Sequence, residues 1–353
     1  MFGSHLSIAG SMRNALQEAE LLGLDTVQVF TKNQRQWKVS PLADAARDEW
    51  LAELKRLGWT DKTVAHNSYL VNLGSPNDDA WEKSIALQRE EIERCEALSI
   101  PLLVSHPGAH LGSGEEAGLQ RIADAYLRLL KDTPGYANVV CVENTVGSGT
   151  NMGGPFEHLA TIRGHIIAGA SRAKVDEDEA ARRIAFCFDT CHAHAFGHEM
   201  TTLDGARATL DSFDEICGEG TMRVVHVNDS KGAQGSRRDL HEHIGRGTIG
   251  LEGFRAVVTR PSLARVPKIM ETPKGDAPAS EGEGPWDEIN LACLRGLMTG
   301  KAPAALGANS TVRGGNTGGE GRKSAKKAPK SSKVARTGAK RPTKKAKASR
   351  RPR

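Results

Sequence analysis

The sequence is short of several things, and each shortage excludes a class of protein. No run approaches the ~18 apolar residues of a transmembrane helix, so a membrane protein is not expected. Its six cysteines (Cys95, Cys141, Cys187, Cys191, Cys217, Cys293) are scattered and form no CxxC pair. A disulfide scaffold is excluded, nothing suggests a zinc ribbon or redox site, and a reducing cytoplasm is the expected compartment. The first five residues lack the basic-then-apolar order of a secretory signal. A local shortage is the most informative: after residue 300 the only acid is Glu320, against 17 Lys and Arg.

The whole chain of 353 residues carries 48 basic and 43 acidic side chains, so residues 1–300 keep 31 basic and 42 acidic ones. An acidic body of net −11 is thus joined to a tail of net +16. With 38% apolar residues and a mean hydropathy of −0.44, the body can build a globular core. We read residues 1–302 as that body and 303–353 as a disordered Lys/Arg-rich tail. From Gly307 the chain is almost entirely Ala, Gly, Ser, Thr, Lys, Arg and Pro, too little apolar surface to offset the entropy of ordering. Such a tail either solubilises or binds polyanions. With 15 basic residues among the 33 from Gly321 and no acid after Glu320, a non-specific contact to nucleic-acid phosphates is the reading taken.

Short apolar runs recur along the body at 3–9, 26–31, 63–67, 102–106, 139–143, 185–190, 223–228 and 267–271. They are rich in Val, Ile, Leu or Phe and little alternated, as parallel strands covered on both faces are. Helical patterns separate them. Leu119, Ile122, Ala123, Tyr126 and Leu130 share one face, and Trp81, Ile85, Ile92, Cys95 and Leu98 make another. Eight such units predict an α/β fold, a (β/α)8 TIM barrel. A doubly wound open sheet is the alternative, but no glycine-rich phosphate loop follows an early run.

Metal-binding residue types sit where the runs stop: His66, His106, Glu143, Asp189 with His192, His226, and Glu271, with Asp239 and His241 in the loop after the seventh. A barrel gathers these ends on one face. A lone strand-end His is more often a hydrogen-bonded structural residue, and a lone Asp more often caps the next helix. The repetition favours metal: five imidazoles and four carboxylates exceed what proton transfer needs and suit two or three divalent ions.

The segments GSHLSIAG (3–10), FTKNQRQW (30–37), HNSYLVNLG (66–74), HPGAHLG (106–112), VENTVGSG (142–149), FDTCHAHAFG (188–197), HVNDSKGAQGSRRDLHEHIGRGTIG (226–250) and METP (270–273) occur in that order. Together they resemble the endonuclease IV family of apurinic/apyrimidinic endonucleases, over residues 3 to about 300. The resemblance implies a barrel holding three zinc ions that hydrolyses duplex DNA 5′ to abasic sites, leaving a 3′-hydroxyl, in base excision repair. His66, His106 and Glu143 would hold the first zinc. Glu143 would bridge to the second, completed by Asp189, His226 and Glu271, and His192, Asp239 and His241 would hold the third. All nine positions carry the family's residue type. Arg35, Tyr69 and Leu70 match the positions that wedge into the helix, although Tyr69 and Leu70 also suit ordinary packing. Leu240 departs from the pattern, which usually has Arg there, so the resemblance carries no DNA contact at that position.

Three zinc ions bring +6 and the four carboxylates remove four; a bridging hydroxide leaves +1, the match of one phosphodiester. Zinc lowers the pKa of bound water towards ~7, so a metal-bound hydroxide is the expected nucleophile and no Ser, Cys or Lys is assigned one. Cys191 is read as packing, His194 and His198 as supporting or surface groups, and His5 and His110 as hydrogen-bonding support. Two rivals are a metal-dependent sugar isomerase or epimerase of the related barrel group and a non-enzymatic DNA-binding protein. The expected protein is a monomer at the nucleoid, or nuclear in a eukaryote.

Overall fold

The computed structural model describes residues 1–301, so the tail read at 303–353 lies outside the described residues. Eight parallel strands close into a barrel, as the alternation of runs and helical patterns predicts. They are β1 (Phe2–His5), β2 (Thr26–Val29), β3 (Thr63–His66), β4 (Leu102–Ser105), β5 (Val139–Glu143), β6 (Ile184–Asp189), β7 (Met222–His226) and β8 (Lys268–Met270). Each pairs with its neighbour in sequence. β8 closes the barrel by pairing Lys268, Ile269 and Met270 with Phe2, Gly3 and Ser4.

The main surrounding helices are α1 (Met12–Leu21), α2 (Asp44–Leu57), α3 (Asp78–Ala97), α4 (Glu115–Asp132), α5 (Phe156–Ala173), α6 (Glu177–Arg183), α7 (Thr190–Phe196), α8 (Leu203–Cys217), α9 (Gly250–Thr259) and α10 (Trp286–Met298). The predicted faces are the buried ones: Leu119, Ile122, Ala123, Tyr126 and Leu130 on α4, and Ile85, Ile92 and Cys95 on α3. Asn77 caps α3 by accepting from the Ala80 N–H at 2.8 Å. The first strand is shorter than its apolar run. It stops at His5, because Ser11 already caps α1 and the chain must turn through Gly10 at a φ of 82°.

Side chains alternate between two buried sets. Val27, Val29, Ala65, Leu103, Val140, Val142, Phe186, Phe188 and Val225 join the large core beneath the helices. Val64, Leu102, Val104, Val139, Cys141, Ala185, Cys187, Val224 and Ile269 form a second, separate cluster, the filled interior of the barrel. Gly3 belongs to this inner parity and has no room for more. A Cβ there would lie 2.6 Å from the Thr26 side chain and carbonyl and 2.9 Å from Ile269.

Candidate metal centre

Two residues beyond the apolar interior layer, the inner face of each strand turns polar. Val64 is followed by His66, Val104 by His106, Cys141 by Glu143, Cys187 by Asp189, Val224 by His226 and Ile269 by Glu271. The same parity brings His5 from β1 and Gln28 from β2, which are register partners. Every strand thus supplies one polar residue to a ring at the carboxyl end of the barrel. Sequence reading selects six of these for metal and His5 as support. It has no reading for Gln28.

The Glu143 carboxylate is the hub. Its Oε1 lies 2.9 Å from His226 Nδ1 and 3.3 Å from His192 Nδ1. Oε2 lies 3.4 Å from His66 Nε2 and 3.1 Å from His106 Nε2. Glu143 is fully buried. Burial acts to raise its pKa, but His226 and His106 outweigh it and hold the carboxyl well below the usual range. Burial would likewise lower the pKa of His226, yet Glu271 and Glu143 push it up to about 9. Charge has been concentrated where a core would ordinarily exclude it.

Backbone carbonyls orient three of the rings. His66 Nδ1 donates to the Asn67 carbonyl at 2.8 Å, His192 Nδ1 to that of Asn144 at 2.9 Å, and His241 Nδ1 to that of Glu271 at 3.2 Å. Each therefore turns its Nε2 inward. Asp189 combines both of its sequence readings. Its Oδ1 caps α7 by accepting from the His192 N–H at 2.7 Å, while Oδ2 lies 3.7 Å from His226 Nδ1. Asn228 donates to Asp189 Oδ2 at 2.7 Å and accepts from the Glu271 N–H at 2.7 Å; Asn144 Oδ1 accepts from the Asp189 N–H at 2.7 Å. These two asparagines, which sequence reading passed over, brace the carboxylates from behind.

Asp239 and His241 come from a loop that turns back over the barrel. Asp229–Ser230 and His241–Glu242 pair as a two-stranded antiparallel ribbon, which sequence reading did not anticipate. Asp239 then lies 3.3 Å from His192 Nε2 and 3.0 Å from His241 Nε2. Asp239 is half exposed; partial burial opposes its ionisation, but the His192 and His241 imidazoles beside it hold its pKa well below the usual range. His241 Nε2 is buried without a hydrogen bond of good geometry.

Ligand-type atoms within 4.8 Å of one another fall into three principal groups: His66, His106 and Glu143; Glu143, Asp189, His226 and Glu271; and His192, Asp239 and His241. Nitrogen and carboxylate donors in threes and fours, with lone pairs facing one point, fit divalent zinc. Cys191 groups with Asp189 and His241, and Cys187 with Glu143 and His226. Burial pushes the Cys191 thiol up to about 12, which keeps it protonated at neutral pH beside the Leu240 carbonyl at 3.8 Å.

Residues 16–292 match the family described as xylose isomerase-like TIM barrel. A probable endonuclease 4 of Chloroflexus aurantiacus (strain J-10-fl) is 42% identical over 299 residues, which is 85% of this chain and 98% of the relative. The chain belongs to the endonuclease IV family. The crystal structure of endonuclease IV from Thermus thermophilus shares 33% identity at a TM-score of 0.70, over 85% of this chain and 99% of that one. A D-psicose 3-epimerase from Clostridium cellulolyticum H10, at 14% identity and a TM-score of 0.58 over 84% of this chain and 99% of that one, shares the fold alone.

In this endonuclease IV family member the ring opens into a cleft of about 370 Å³, lined among others by His66, Tyr69, Asn72, His106, Thr145, Ser148, Asn151, His192 and Asp239. Tyr69 is 58% exposed at its rim, with its ring centroid 5.1 Å from that of His66 and 5.6 Å from that of His106. Leu70 is half-buried against the core. Arg35 is exposed on the loop after β2, whose turn is set by Asn33 Oδ1 accepting from the Arg35 N–H at 3.0 Å. Leu240 is also exposed at the rim. The four histidines read as supporting or surface groups lie outside the three groups. His5 Nδ1 sits 3.2 Å from Glu271, His110 Nδ1 accepts from Gly114 N–H at 3.1 Å, His194 Nε2 is 3.0 Å from Thr248 Oγ1, and His198 stacks on Phe156 at 3.9 Å. No helix among the described residues is long and apolar enough to cross a membrane.

Proposed function

We propose that this chain is a zinc-dependent apurinic/apyrimidinic endonuclease that hydrolyses the phosphodiester 5′ to abasic sites in duplex DNA, leaving a 3′-hydroxyl, in base excision repair. The observation that carries this reading is the buried Glu143 carboxylate with four imidazoles within 3.4 Å, three of which line an open cleft. The names of relatives that match nearly end to end supply the endonuclease activity, whereas the epimerase rival rests on a shared fold.

His66, His106 and Glu143 would hold one zinc, Glu143, Asp189, His226 and Glu271 a second, and His192, Asp239 and His241 a third. Zinc supplies Lewis acidity towards a phosphate and water acidic enough to attack near neutral pH. The chain's own residues do the rest. The carbonyl-anchored rings of His66, His192 and His241 hold one lone pair each on the cleft. Asn72, Thr145, Ser148 and Asn151 offer amides and hydroxyls to an extruded sugar-phosphate. Tyr69 and Arg35 fill the space that the extruded nucleotide leaves in the base stack, with Leu70 behind Tyr69. The body over 1–302 acts as a monomer at the nucleoid, and the tail over 303–353 adds sequence-independent phosphate contacts that offset the body's negative charge.

The test is cleavage of an abasic duplex by the purified full chain, with the product ends identified and metal content measured by mass spectrometry. We expect close to three zinc equivalents and a 3′-hydroxyl product. Full activity without bound transition metal overturns the mechanism. Deleting residues 305–353 should flatten the salt dependence of DNA binding and raise KM while kcat is retained; an unchanged salt slope overturns the role given to the tail.

A further inference from the structure

Of the five histidines in the three groups, His226 is the one held the other way round. Three of the others give Nδ1 to a backbone carbonyl and face the cleft with Nε2. His226 faces Glu143 Oε1 at 2.9 Å, Glu271 Oε2 at 3.3 Å and Asp189 Oδ2 at 3.7 Å with Nδ1. Its Nε2 lies 2.9 Å from Gln28 Oε1, a side chain three strands away around the ring. Gln28 is fully buried, and its amide reaches Glu271 Oε1 at 2.7 Å and His5 Nδ1 at 3.0 Å through Nε2.

This arrangement has one consistent assignment of protons. An ionised carboxylate accepts and cannot donate, so the amide nitrogen of Gln28 must face Glu271. The amide oxygen then faces His226, and since it too can only accept, His226 Nε2 must carry the hydrogen. Nδ1 faces the Glu143, Asp189 and Glu271 carboxylates and without metal donates to Glu143 Oε1 at 2.9 Å; with Nε2–H held by Gln28, Nδ1 is the nitrogen whose proton a bound metal would displace. A carboxylate fixes an amide, and the amide fixes a tautomer.

We propose that Gln28 is a positioning residue for this four-residue group: it selects the Nδ1-ligating tautomer of His226 and holds Glu271 beside it. The proposal rests on the metal reading given above. Backbone cannot do this job for His226 as it does for the other three rings. His226 is the last residue of β7, and the Nε2 edge of its ring points across the barrel at β2 rather than at a neighbouring loop. A side chain long enough to cross, with one acceptor and one donor at its tip, is required, and Gln at the inner position of β2 supplies both. A hydrophobic residue of equal size would fill the space but leave His226 free to protonate on either nitrogen. Partners of this kind are worth about 10–100-fold in metal affinity.

The experiment compares the zinc-loaded wild type with Gln28→Met, which keeps the volume and removes the hydrogen bonds to His226, Glu271 and His5, and with Gln28→Glu, which keeps an acceptor for His226. Zinc is titrated away with a competing chelator, and the histidine ring tautomers are read from long-range proton–nitrogen NMR spectra. In the wild type His226 should show a protonated Nε2. Gln28→Met should lose one zinc equivalent about 10–100-fold more readily while the other equivalents hold, and should lose the protected Nε2–H. Gln28→Glu should retain that tautomer. A zinc-replete wild type whose Gln28→Met variant keeps every equivalent and the same tautomer overturns the role of Gln28 alone. So does a Gln28→Glu variant that loses the tautomer, and this arm decides the matter if Gln28→Met fails to fold. A wild type that binds no zinc overturns the metal reading itself.

Discussion

The two ends of the barrel bury polar groups in opposite ways. At the amino ends of the strands, two buried cations lean mainly on backbone carbonyls, Arg183 with Glu179 beside it at 3.4 Å. Lys268 Nζ donates to the carbonyls of Leu263 at 2.5 Å and Val266 at 3.2 Å, and burial lowers its pKa to about 8. Arg183, just before β6, donates to the carbonyls of Thr133 at 2.5 Å and Asn138 at 3.2 Å, and burial lowers its pKa too. These cations tie loops to the barrel floor and leave nothing over. At the carboxyl ends, ionisable groups crowd one another: Glu143 meets four imidazoles, and a His241 nitrogen is buried without a good hydrogen bond. Folding alone gains nothing from lone pairs aimed at a shared point, since each desolvated group costs free energy unless something binds there. The floor is built for stability and the rim for a ligand.

That contrast breaks most visibly at the hub. Glu143→Gln should lower cleavage of abasic duplex by about 10³-fold or more and reduce bound zinc, because it removes a charge shared by two groups. Retained zinc with retained turnover would place the chemistry elsewhere. A change at the floor should do the reverse. Arg183→Met leaves two buried carbonyls short of donors, and we expect a loss of about 2 kcal/mol, a fall in Tm of about 5 °C, with zinc content and turnover of the folded protein unchanged. Loss of zinc in that variant, measured below its Tm, would mean the two ends are not separable. The smallest effect belongs to the rim. Tyr69→Ala should weaken binding to abasic duplex about tenfold while binding to undamaged duplex hardly changes, as competition titrations would show; equal loss on both would make Tyr69 a general contact.

Much of this was legible before any fold was known. The little-alternated apolar runs announced covered parallel strands, and the residue type that ends each run announced the rim. Nine metal-type residues were nameable because their chemistry is uncommon at strand ends and repeats from strand to strand. Gln28 was not, because TVQVF reads as an ordinary strand with one polar interruption. Asn144 and Asn228 look like loop residues, and the ribbon that returns Asp239 and His241 to the site has strands of two residues, too short for a periodicity.

Local sequence determined the elements, their inner and outer parity, and which side chains reach the end of each strand, because a period of two is a property of the backbone itself. Tertiary structure alone decided which of them meet. Gln28 finds His226 at 198 positions along the chain and Glu271 at 243, and only closure of β8 onto β1 brings those partners within 3 Å. A hydrogen bond needs that proximity and leaves no periodic trace in either partner's neighbourhood. The tautomer of His226 therefore belongs to the closed barrel and not to any segment of the sequence.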